Sequence, residues 1–205
     1  MIRRIEIDSE YADILSELVL DSDFGWYWND GTVEQSEKTY KSSNGCVIDS
    51  KTKDIPQFCH SVLLGGNILC NHYHFFSEMV QHIEPHIGKI KRIVRIKLNL
   101  ITKDGGYPDG FYNGPHADYY DNNLISFVYY VNDSDGDTIF FDSHLDGLEH
   151  SITQLKEIYR ETPQKGVGVA FKSNQVHTSS TPRFTDRRVV INYVFEMYET
   201  NDTKF

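Results

Sequence analysis

Residues 114–120 read "GPHADYY", which sets His116 and Asp118 two positions apart after a Gly-Pro turn. In an extended segment, residues i and i+2 point to the same side, so the imidazole and the carboxylate can grip one ion together. The spacing alone carries little weight: with nine histidines and 18 aspartates in 205 residues, about one His-x-Asp triplet arises by chance from composition like this. The second such triplet, His144-Leu145-Asp146, sits where a helical pattern begins, and Asp146 there suits a helix cap better than a ligand. A third ligand for the first triplet must come from a facing strand, and "NQVHTSS" supplies His177 at the end of a β-type run. Two imidazoles and one carboxylate on one face leave three positions of an octahedral first-row metal open, the arrangement that suits non-haem Fe(II).

Other histidine groupings fit metal chemistry less well. His82 and His86 are four apart on a helical pattern, yet no Cys or further His follows at finger-like distance and Pro85 stands between them. His72 and His74 fall at a helix entry and read as surface or packing residues. Eleven residues past His177 lies Arg188, opening the strongly apolar run "RVVINYVFEM". A guanidinium there can hold one end of a dicarboxylic acid through a fixed two-pronged pair while the other end chelates a metal.

The elements that must position these residues show in the periodicity. Tyr11, Ile14, Leu15, Leu18 and Val19 make a short helix capped by Ser9. A second helix over 72–88 carries Phe75, Phe76, Met79, Val80, Ile83 and Ile87 on one face, with Pro85 able to bend it. After residue 90 the period becomes two: in "KRIVRIKLNLIT", Ile96, Leu98 and Leu100 take one face and Arg95, Lys97, Asn99 and Ile101 the other. "LISFVYYVND", "GDTIFFD", "KGVGVAFKS" and "RRVVINYVFEM" read as further short strands, interrupted by one helical insert, "DGLEHSITQLKEIYRET". The expected fold is mainly β with flanking helices, a jelly roll or double-stranded β-helix of cupin-like form. It is a single domain, 1–90 giving helical and loop-rich support and 91–205 the catalytic core. The loop 102–115 holds four glycines with Tyr107, Phe111 and Tyr112. It reads either as a mobile entrance with aromatic contact surfaces or as a surface loop packed on the body.

A net charge of −10 argues against a nucleic-acid partner. The charged opening "IRRIEIDSEYADILSELVL" is unlike a signal peptide, and no apolar run has the length of a membrane span. Cys46, Cys59 and Cys70 lack metal-type spacing and suit reduced thiols, so a cytoplasmic protein is expected.

The stretch from about 92 to 198, through "HADYY", "FVYYVND", "GDTIFF", "KGVGVAF", "VHTSSTP" and "RRVVINYVF" in that order, resembles the 2-oxoglutarate and Fe(II)-dependent dioxygenase superfamily in its prolyl-4-hydroxylase-like branch. The first ninety residues match the family only loosely, and resemble compact phage and bacterial members in having "QFCH" before a helix and "RIKLNL" after it. The resemblance implies that His116, Asp118 and His177 ligate Fe(II) and that a basic residue nine to eleven positions past the distal histidine binds 2-oxoglutarate. Arg187 and Arg188 both qualify by distance; a small polar residue four beyond the base is common in the family, and Asn192 supplies it for Arg188. Tyr130 and Asn99 match further 2-oxoglutarate contacts, and Thr138 lines the same cavity. The implied reaction consumes O2, with ascorbate as an optional reductant, releases succinate and CO2, and hydroxylates a C–H bond of a peptide or small molecule. No acid–base residue beyond the ligands is implied. A cupin-like metal protein or isomerase would keep the three ligands without using Arg188, and a non-catalytic jelly roll would simply pack its histidines. Desaturation and halogenation remain alternatives to hydroxylation, halogenation the least suited because Asp118 takes the place of a halide. Prime substrate and oligomeric state are left open.

Overall fold

The computed structural model describes residues 2–32, 53–121, 123–144 and 155–198. Their elements are β1 (Ile2–Glu6), α1 (Ser9–Leu20), β2 (Tyr27–Asn29), β3 (Gln57–Leu64), β4 (Asn67–Ile68), α2 (Tyr73–Ser77), α3 (Met79–Ile87), β5 (Ile90–Thr102), β6 (Leu124–Tyr130), β7 (Thr138–His144), β8 (Glu157–Glu161), β9 (Val167–Lys172), β10 (Gln175–Ser179) and β11 (Arg187–Met197). The major sheet runs β1-β9-β6-β11-β5-β3-β2, with β4 paired to β3, and the minor sheet runs β10-β7-β8. Two sheets faced across a core, with helices on the far side of the larger one, make the expected jelly roll. No described helix is long and apolar enough to cross a membrane.

Strand alternation divides the major sheet into two working faces. Phe127, Tyr129, Ile191, Tyr193 and Leu98 point outward and bury Leu15 and Val19 of α1, Phe76 of α2, and Met79 and Ile83 of α3. The other face carries Val128, Tyr130 and Val190, which pack with Val169, Phe171 and Phe140 between the sheets. Each such side chain removed from water contributes about 1.5–3 kcal/mol, so the sandwich is the main source of stability. Close approach is built in at Gly168, where a Cβ would lie 2.3 Å from Cζ of Phe127.

Several elements differ from the sequence reading. The first helix is capped by Asp8, whose carboxylate accepts from the amides of Glu10 and Tyr11, and Ser9 is its first residue. The segment 72–88 forms two helices that meet at Glu78; Pro85 lies inside the second, which ends at Gly88 with φ of 99°. The expected helical insert falls mostly on residues outside the described ones, as do Leu145 and Asp146 of the rival triplet and Cys46. Its described end is strand: β8 pairs with β7, setting Tyr159 opposite Phe140. Leu155, Ile158 and Tyr159 fit a helical stripe, but cross-strand contact with an aromatic core overrides local periodicity there. Residues 1–90 also give more than helices and loops, since β1 extends the major sheet beside β9 and β3 extends it beside β5.

The loop 102–115 packs on the body. Tyr107 is 2% exposed against Ile55 and Ile101, and Tyr112 is buried with Ile139, Phe141 and Val176. These rings close two side cores, so the entrance reading of the loop's tyrosines gives way to the packed one.

Candidate active site

His116 and His177 are joined through the backbone. The two residues form an antiparallel bridge, each amide donating to the other's carbonyl at 2.9 Å. This ties the segment carrying the first triplet to the edge strand β10. In each ring Nδ1 faces a carbonyl, that of Gly114 at 2.9 Å for His116 and that of Gln175 at 3.0 Å for His177. A carbonyl oxygen only accepts, so Nδ1 carries the proton and Nε2 keeps its lone pair for another partner. The ring centroids are 4.6 Å apart, and the His177 ring packs against both Phe140 and Phe171, which also touch each other.

Asp118 completes the group: ligand atoms of His116, Asp118 and His177 lie within 4.8 Å of one another, a spacing that could hold a metal ion. Its carboxylate is held on all sides. Arg95 donates Nη2 to Oδ1 at 2.5 Å, Ser126 donates to Oδ2 at 2.6 Å, and Asn192 Nδ2 reaches both oxygens at 3.1 and 3.2 Å. The sheet register explains the convergence. Val194 of β11 faces Arg95 of β5 on one side and Ser126 of β6 on the other, with Asn192 two residues along the same face. Burial alone would raise the Asp118 pKa, but the Arg95 guanidinium, then His177 and His116, pull it well below the usual carboxylate range. The group is a carboxylate near neutral pH.

Burial acts oppositely on His177, and with the neighbouring His116 it lowers the imidazole pKa to about 4 from an ordinary 6.5. Between these values the unfolded chain binds a proton that the folded chain refuses, so stability falls as pH drops through the window. The chelator-stripped protein should therefore lose up to about 1.4 kcal/mol per pH unit from this residue across that window. Urea midpoints should show the slope, and His177→Gln should flatten it; an equal slope in the variant would place the titration elsewhere.

The triad opens into a cavity of about 60 Å³ whose walls include His116, His177, Asn99, Thr138, Arg188, Val190 and Asn192, with Thr32 and Gln57 at one side. Arg188 is 4% exposed, and its neighbour Arg187 is exposed, because alternate residues of β11 face opposite sides. Arg188 donates Nε to the Gly136 carbonyl and Nη2 to Thr138 Oγ1, each at 2.7 Å. No carboxylate of the described residues lies within ion-pair distance of it, and burial lowers its pKa, opposed by Tyr130 and Asp137. A buried guanidinium left without an anion is costly, and its position on a cavity wall is where a ligand anion would relieve that cost.

The sequence-predicted residues are thus brought to one region with one difference of role. Asn99 lines the cavity, where its Oδ1 accepts from the Cys59 thiol at 3.4 Å. Tyr130 is fully buried and does not line the cavity; its hydroxyl donates to Thr138 Oγ1 at 2.8 Å beneath Arg188. His82 stacks on Tyr11 with centroids 4.4 Å apart, a packing contact. Sequence reasoning placed Arg95 on the right face of its strand without seeing that it meets Asp118, and it missed Ser126 altogether.

No family model matches the sequence, and no curated protein matches it. Solved structures do match. A 2OG-Fe(II) oxygenase family oxidoreductase from Burkholderia pseudomallei is 12% identical, with 93% of this chain and 91% of that chain covered at a TM-score of 0.50. SnoN, a non-heme alpha-ketoglutarate-dependent epimerase from nogalamycin biosynthesis, is 12% identical over 93% and 84% at the same TM-score. EctD from S. alaskensis, a structure with bound Fe, is 10% identical over 96% and 72% at 0.53. At such identities the likeness concerns architecture, and the fold of this chain is that of the 2-oxoglutarate/Fe(II) oxygenases.

Proposed function

We propose that this protein is a 2-oxoglutarate- and Fe(II)-dependent oxygenase that hydroxylates a C–H bond of a small molecule or peptide. The observation that carries this reading is Arg188, a buried guanidinium with no acid partner among the described residues, on the wall of a cavity that His116 and His177 also line. A metal site for other chemistry would need the triad but not this cation. His116, Asp118 and His177 would hold Fe(II) through two Nε2 atoms and a carboxylate oxygen, a donor set suited to that ion. Arg188 would take the far carboxylate of 2-oxoglutarate, with Thr138 and Tyr130 fixing the guanidinium and Asn99 lining the path between. Bound together, Fe(II) and 2-oxoglutarate supply the oxidising power that turns O2, the co-substrate and a C–H group into succinate, CO2 and C–OH. The chain's own part is orientation and exclusion of water, which the apolar Val128 and Val190 walls serve. The free thiols of Cys59 and Cys70 suit the cytoplasm.

The test is anaerobic titration of the metal-free protein with Fe(II) and 2-oxoglutarate, followed by succinate release in air without prime substrate. A charge-transfer absorption requiring both, then succinate, is expected; metal uptake without 2-oxoglutarate binding would favour a cupin-like metal protein instead.

Gly136 gives an independent check on the pocket floor. A Cβ there would lie 2.8 Å from the Ser180 carbonyl oxygen and 3.0 Å from Cδ of Arg188. Gly136→Ala should destabilise the protein by about 1–3 kcal/mol, as overpacking does, and weaken 2-oxoglutarate binding by shifting the guanidinium. Calorimetric titration reads the second effect, and unchanged binding would remove Gly136 from the pocket's support.

A further inference from the structure

Arg95 is an unusual companion for a metal ligand. Its guanidinium sits on Oδ1 of Asp118 at 2.5 Å, with side-chain exposures of 17% and 4% for the two residues. It lies over the Tyr119 ring at 5.2 Å, and its buried Nε has no hydrogen-bond partner. The carboxylate has two differentiated oxygens. Oδ2 is the one that faces the triad, 3.9 Å from His177 Nε2, whereas Oδ1 faces Arg95. Ser126 and Asn192 already orient the carboxylate with neutral donors, so geometry alone does not call for a cation. What Arg95 adds is charge. The guanidinium offsets the negative charge of the Asp118 carboxylate before any metal enters.

Resting on the oxygenase reading, we infer that Arg95 is a positioning residue whose charge shifts the two affinities in opposite directions, toward weaker metal binding and tighter 2-oxoglutarate binding. A divalent ion entering this site meets a cation one carboxylate away and binds less tightly than the bare triad would hold it. A dianionic co-substrate arriving afterwards meets that same cation as an attraction. Arg95 thus weakens the first ligand and strengthens the second. The charge acts through Asp118 and needs no contact with substrate.

Mn(II) titration of chelator-stripped protein, read by the electron paramagnetic resonance signal of free Mn(II), tests the first half. Calorimetric titration of Mn(II)-loaded protein with 2-oxoglutarate tests the second. Arg95→Gln keeps a hydrogen-bond donor and removes the charge. It should bind Mn(II) about tenfold more tightly than wild type and 2-oxoglutarate about tenfold more weakly, while Arg95→Lys should restore both values toward wild type. A residue that merely braced the carboxylate would weaken both ligands when changed, and that result, or unchanged affinities, would overturn the inference. Should Arg95→Gln fail to fold, Arg95→Met carries the comparison: tighter Mn(II) with weaker 2-oxoglutarate supports the role, and weakening of both overturns it. A wild-type protein that bound Mn(II) but not 2-oxoglutarate would sink the oxygenase reading, whereas opposite-sign changes absent from a protein that binds both would sink only the role of Arg95.

Discussion

Arg188→Met should leave the metal-free protein at least as stable as wild type while lowering 2-oxoglutarate affinity more than about a hundredfold, equivalent to about 3 kcal/mol for a lost buried charge pair. The two halves rest on one fact, the absence of a carboxylate partner for this guanidinium among the described residues. Desolvating an unpaired cation costs several kcal/mol, against two charged-donor hydrogen bonds, to Gly136 and Thr138, each contributing about 1.5–3 kcal/mol. Replacing it with an apolar side chain of similar reach removes both sides of that balance. A buried arginine in an ordinary ion pair behaves differently, and its loss costs about 3–5 kcal/mol. Arg187→Met, on the exposed side of the same strand, should change stability by less than about 0.5 kcal/mol and leave co-substrate binding intact. Urea denaturation and anaerobic titration read the two effects. A strongly destabilised Arg188→Met that still bound 2-oxoglutarate would show the guanidinium to be structural.

Asp118→Asn should abolish Mn(II) uptake and destabilise the metal-free protein by about 3 kcal/mol. The amide fits the same space and can still accept from Ser126, so shape is nearly preserved. It removes the negative charge that faces His177 and leaves Arg95, half of the site's ion pair, without an anion. His116→Ala should abolish metal uptake too, but without that loss of stability, because no charge is stranded. Comparing urea midpoints of the two variants separates the roles. Equal destabilisation would mean that the Arg95–Asp118 pair contributes nothing to the fold.

How much of this was legible in the sequence depends on whether a residue's role is local. His116 and Asp118 were legible as a pair because a two-residue spacing on an extended segment fixes a shared side, and His177 because a facing β-type run ends on it. Arg188 was set apart from Arg187 by Asn192 four residues on, a pattern of the resembled family, and Arg188 is the one that is buried. The clamp on Asp118 was not readable in the same way. It assembles from β5, β6 and β11, and only their mutual register brings Arg95, Ser126 and Asn192 to one carboxylate. The same cause hid β8, where local spacing suits a helix and pairing with β7 decides otherwise. Tyr130 shows a third case: its place near the pocket was legible, but the direction of its hydroxyl, toward Thr138, follows from packing that no single strand encodes.

The doubled backbone bridge between His116 and His177 has a consequence for how the proposed site would lose and recover an ion. Two donor nitrogens carried on separate floppy loops would scatter when the ion left, and each recapture would have to gather them again. Here the main chain fixes the spacing of the donor-bearing residues, so the entropy of assembling them is lost once, at folding, and is not charged again at each loading. The emptied protein is a template already cut to size, and it should reload as fast as the ion can shed its water.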